Sequence, residues 1–114
     1  MPIPSDYDEI YSVLVEKTEE GALNWIDNTL FVAVTVDKSM FRIWTGTDEV
    51  TDESFVAFGL YDTSGKVLDS WYLDESDEDY QSVHRLYRAA KRHAAGVPDL
   101  LKSLAAKIAA MDKK

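Results

Sequence analysis

The stretch Thr29-Leu30-Phe31-Val32-Ala33-Val34-Thr35-Val36-Asp37-Lys38-Ser39-Met40-Phe41-Arg42-Ile43-Trp44-Thr45 decides the fold. It is dominated by β-branched and aromatic residues, and its side chains alternate. Leu30, Val32, Val34 and Val36 fall on one side of an extended chain, with Phe31, Ala33 and Thr35 on the other. After the polar break Asp37-Lys38-Ser39, Phe41 and Ile43 alternate against Met40, Arg42 and Trp44. The pattern predicts two strands, about 29–37 and 40–45, paired as an antiparallel hairpin.

Beyond this hairpin, residues 45–54 read as an acidic loop carrying Asp48, Glu49, Asp52 and Glu53. A third strand, about 55–62, and a fourth, about 66–73, are joined through Asp62-Thr63-Ser64-Gly65, where Gly65 suits the positive-φ position of a tight turn. The economical topology is a four-stranded antiparallel meander. The first and third strands are apolar on both faces, which asks for helices on both sides of the sheet or for a second chain on one.

The flanks read as helices. Tyr7, Ile10, Tyr11, Leu14, Val15 and Thr18 keep the spacing of one helical face, Ser5 stands where a cap is expected, and Gly21 suits a left-handed stop. A second helix is predicted to start at Ser76, with Asp77, Glu78 and Asp79 in its first turn and Lys91, Arg92 and His93 in its last. Val83, Tyr87, Ala90 and Ala94, beside Tyr80 and Leu86, make its apolar side. Gly96 ends it, and Pro98 opens a third amphipathic helix with Val97, Leu100, Leu101, Leu104, Ala105, Ile108 and Met111 on one side. Fraying is expected over Met111-Asp112-Lys113-Lys114. The fold class is α+β: one domain over residues 1–114, with an N-terminal helix, a four-stranded antiparallel meander sheet and two C-terminal helices.

Two motifs, Thr18-x-x-Gly21-x-Leu23-x-Trp25 and Leu86-Tyr87-x-x-Ala90, lie before and after the strands. In these and in its element order the chain resembles small uncharacterised bacterial and phage proteins. The resemblance implies the fold and brings no activity, cofactor or catalytic residue.

Composition narrows the function classes. The chain has 114 residues, no cysteine and a net charge of −9. Its 3 Trp, 6 Tyr and 4 Phe are far more than a disordered acidic tail carries, so a buried core is expected. The absence of cysteine excludes disulfides, thiolate metal sites and a cysteine nucleophile. There is no apolar run of membrane-spanning length, and Met-Pro-Ile-Pro-Ser-Asp lacks the features of a secretory signal, so a cytoplasmic protein without membrane contact is expected. Residues 1–80 carry −15 and residues 81–114 carry +6. The overall sign opposes adhesion to nucleic acid, whose phosphates demand lysine and arginine.

Chemistry-bearing constellations are sparse. Asp74-Glu75-Ser76-Asp77-Glu78-Asp79 offers many oxygens but lacks the glycine and the terminal glutamate of a calcium loop, so it reads as a solvated helix cap. His84 and His93 are nine residues apart with no third ligand signposted. No nucleophile elbow, phosphate loop or dinucleotide fingerprint occurs. No catalytic residue, cofactor or metal ligand is predicted.

The candidate interface residues are Met40, Arg42 and Trp44 on the outer face of the second strand, Asp48, Glu49, Asp52 and Glu53 in the loop, and the stripe Arg85, Arg88 and Arg92 on the second helix. Trp25 and Trp71 are assigned to the core. These residues point to a non-enzymatic interaction or accessory protein, homodimeric or bound to another protein, with Trp44 and Met40 as anchors and the charged loops steering the partner. One alternative is an acidic inhibitor or immunity-type protein covering a basic site. Another is a ligand binder or enzyme whose carboxylates and histidines meet in a cleft.

Overall fold

The computed structural model describes residues 3–111. The fraying expected at the C-terminus falls, apart from Met111, outside the described residues. After a 3-10 turn at Ser5–Tyr7 come α1 (Asp8–Glu19), β1 (Ile26–Asp27), β2 (Val32–Val36), β3 (Ser39–Thr47), β4 (Ser54–Asp62), β5 (Val67–Asp74), α2 (Tyr80–Ala94) and α3 (Val97–Ala109). The strands form one antiparallel sheet in the order β1-β2-β3-β4-β5.

The architecture is α+β as expected, with five strands in place of four. The added strand, β1, pairs Ile26 with Ala33 and Asp27 with Val32. Two residues make a single period of alternation, with no repeat of it, so no pattern marks them. The β1–β2 turn places Thr29 at φ 64° and leaves Leu30 outside the strand and 79% exposed, although alternation had grouped Leu30 with the core side.

Alternation sorts the rest of the sheet. Val32 and Val34, Phe41 and Ile43, Val56 and Phe58, and Leu73 lie on one face, buried in a core with Leu14 of α1 and Val83, Leu86 and Ala90 of α2. Tyr7 closes one side of this core: its ring meets Trp71 edge-on at 4.6 Å, and its hydroxyl donates to Asp69 at 2.7 Å.

Neither predicted side-chain cap forms. The N-cap of α1 is Tyr7 and that of α2 is Asp79, and neither makes a capping bond from its side chain. Ser5 belongs instead to the 3-10 turn. Ser76 lies in a turn closed by Asp74, whose Oδ1 accepts from the Ser76 backbone and hydroxyl, and by Asp77, whose Oδ2 accepts from Asp74 N at 2.9 Å. Asp74 and Asp77 of the acidic run thus fold that turn back from β5 into α2.

The Thr-x-x-Gly-x-Leu-x-Trp spacing has a local explanation. Thr18 is wholly buried, and its Oγ1 accepts from the indole N–H of Trp25 at 2.9 Å. Between them Gly21, at φ +76°, ends α1 beside the ring of His93. A buried indole N–H needs a partner, and this spacing provides one without a long-range contact.

α3 stands apart. Gly96, at φ 71°, turns the chain out of α2, and no residue of α3 is buried. Leu100, Leu101, Leu104, Ile108 and Met111 are 41–71% exposed. The radius of gyration is 16.7 Å, against about 13 Å for a compact chain of this length. The apolar side of α3 faces outward.

Candidate functional site

The sheet has a second face, which no helix among the described residues covers. It is paved by side chains that alternate with the core set. In register across the strands, Arg42 sits opposite Gly59, Trp44 opposite Ala57, and Ala57 in turn opposite Tyr72. Trp44 meets Tyr72 edge-on at 5.7 Å, and Phe55 packs on Tyr72 at 5.4 Å.

Two glycines let rings lie down on the strands. A Cβ at Gly46 would come within 2.6 Å of the Phe55 ring, and one at Gly59 within 2.6 Å of Tyr61. The rings take the place of those missing side chains, as aromatic residues commonly do beside strand glycines. Ala57 is fully buried beneath them, while Tyr72 remains 58% exposed. At the other end of the face, the Arg42 guanidinium lies 4.6 Å from the Phe31 ring and 4.2 Å from the Tyr61 ring, and its Nε donates to Met40 Sδ at 3.3 Å. Met40, Arg42 and Trp44 are therefore held together on this face.

The acidic loop borders the opposite end. Asp48 Oδ1 accepts from Val50 N at 2.8 Å, and the Asp52 backbone, at φ 59°, donates to Asp48 O. Asp48, Glu53 and Asp74 line a hollow of about 360 Å³ with Phe55 and Tyr72. Glu49 and Asp52 are exposed in the same loop and do not line it. Hydrogen bonds from Ser76 hold the Asp74 carboxyl below the usual carboxylate range. Three carboxylates thus border two rings at this end of the face.

The arginine stripe lies elsewhere. Arg85, Arg88 and Arg92 are on α2, across the sheet from Trp44, and line a cleft of about 540 Å³ with Glu19, His84 and His93. The two histidines, distant along the helix, thus share one cleft. Arg85 is paired with Glu19 at 2.8 Å, and Lys91 meets Asp27 at 3.6 Å, so part of the charge division is settled inside the fold. Glu19 is exposed and engaged, and the cleft holds no buried carboxylate among the described residues. No group of three or more histidine, aspartate or glutamate side chains among them could hold a metal ion. No helix among them is long and apolar enough to cross a membrane.

Trp25 is buried and Trp71 partly buried against the core, so only Trp44 of the three tryptophans faces away from the helices. Sequence reading missed Phe31, Phe55, Tyr61 and Tyr72 as members of this surface. Their signal was the alternation of β4 and β5, which becomes legible once the register Ala57 to Tyr72 is known. Compared with protein families, curated proteins and solved structures, the chain matches none.

Proposed function

We propose that this protein is a non-catalytic interaction module that recognises a protein surface through the open face of its sheet. The observation that carries this reading is the helix-free aromatic pavement of Phe31, Trp44, Phe55, Tyr61 and Tyr72, bordered by Arg42 at one end and carboxylates at the other. Rigid aromatic side chains and arginine dominate binding hot spots because they bury large areas at low entropic cost, and charged rims steer the encounter.

Capture of partners from a lysate of the source organism, with wild type, Trp44→Ala and Tyr72→Asp as baits at low and high salt, tests the proposal. A protein held by wild type, retained at high salt and lost with either variant is the expected result. Binding that both variants keep, or that moderate salt abolishes while the variants bind normally, points to the acidic loop as a cover for a basic site.

A further inference from the structure

Two apolar surfaces have no cover among the described residues: the pavement on the sheet and one side of α3. We propose that they cover each other between two copies, α3 of each chain lying across the open face of its partner. The inference rests on the interaction reading above and names the occupant of that face.

Four observations point to a second copy. The first is shape. α3 has 13 residues, a length of about 20 Å, and the pavement from Phe55 to Tyr61 along β4 is also about 20 Å.

The second is pattern. Val97, Leu101, Leu104, Ile108 and Met111 recur at intervals of four, three, four and three residues, which gathers them on one narrow side. That side is too short to sustain a coiled coil of its own, which takes three or more heptads, but it is long enough to lie on a flat aromatic surface.

The third is charge. Lys107 flanks the apolar side of α3, and the hollow of Asp48, Glu53 and Asp74 over Phe55 and Tyr72 is chemically suited to an ammonium group. Asp74, held below the ordinary carboxylate range, keeps the hollow negative in mild acid.

The fourth is reach. α2 packs on the covered face, and only Ala95 and Gly96 separate it from α3. The three Cα steps from Ala94 to Val97 span at most about 11 Å, whereas a helix on the far face lies two layer spacings, about 20 Å, from α2, so passage around the sheet exceeds the linker. The chain's own α3 cannot lie on its own pavement without unwinding α2. A second copy supplies the same helix with no such limit. A two-fold exchange makes the contact twice and closes the assembly at two chains.

Sedimentation equilibrium and light scattering on the full chain test this, with Leu104→Asp on α3 and Tyr72→Asp on the sheet. Both positions are exposed, so the monomer should remain folded, and circular dichroism verifies it. Wild type is expected at a mass of two chains, and each variant should weaken association by at least about 30-fold. Mixing the two variants should give a heterodimer weaker than wild type but stronger than either variant alone, because one of its two contacts joins an intact α3 to an intact pavement.

A monomeric wild type at several hundred micromolar overturns the proposal. If it still captures a protein in a Tyr72-dependent manner, the interaction reading survives and the occupant is another chain. Dimerisation that Tyr72→Asp leaves at wild-type strength while Leu104→Asp abolishes it also overturns the proposal, in favour of α3 pairing with α3. Association that survives both variants overturns it in favour of another surface, such as the edge of β5.

Discussion

α2 and α3 are adjacent helices of 15 and 13 residues, both amphipathic, separated by Ala95 and Gly96. α2 buries Val83, Leu86 and Ala90 in the core, whereas α3 buries nothing. Their sequences pose the same demand, an apolar side that must leave water, and only one finds its cover within the chain. An amphipathic pattern thus states that a partner surface exists without stating which molecule carries it. The two faces of the sheet repeat the lesson. One is sealed by α1 and α2, and the other is paved only by its own rings.

The largest expected effect separates the two helices directly. Leu86→Ala, at a fully buried position, should destabilise the protein by about 2–5 kcal/mol in urea titration. A loss below about 1 kcal/mol would mean that α2 is docked as loosely as α3.

Next is the lock at the end of α1. Thr18→Val keeps the volume but leaves the Trp25 indole N–H without its acceptor, and should cost about 1–3 kcal/mol. Thermal melting of Thr18→Val beside Thr18→Ser, which preserves the acceptor, separates the hydrogen bond from packing.

Alkaline pH should loosen the packed side. Burial, and then the bond to Asp69, raise the Tyr7 phenol above its ordinary value, and burial raises Tyr11 as well. A phenol whose folded value exceeds its unfolded one contributes stability that is complete below about pH 10 and is lost as pH rises further. Tyr7→Phe should therefore show a shallower loss of stability above pH 10 than wild type, measured by chemical denaturation at fixed pH values. An unchanged slope would place the alkaline loss elsewhere.

The smallest effect is the most informative for the comparison. Leu104→Ala on the free side of α3 should change the stability of a dilute sample by no more than about 0.5 kcal/mol. At high protein concentration a larger difference should emerge, because a contact between copies adds stability by mass action. A cost of several kcal/mol in dilute solution would show that α3 packs within its own chain.

Much of the fold was legible in the sequence. Strand alternation separated Phe41 and Ile43 from Trp44, and helical spacing found Leu14, Val83, Leu86 and Ala90. These signals are local, because side-chain direction follows from the backbone period alone. β1 escaped for want of length. Phe55, Tyr61 and Tyr72 escaped as a surface because their meeting depends on register between strands far apart in sequence, and on Gly46 and Gly59 leaving room for rings to lie down. The shared cleft of His84 and His93 likewise depended on how α1, α2 and the start of α3 meet.

The sequence by itself therefore determined which residues form helix and strand and which side of each is apolar, since both follow from periods of a few residues. Only the tertiary structure decided which apolar sides are satisfied. Two helices and five strands close one core, and α3, joined to α2 through Ala95 and Gly96, buries none of its residues.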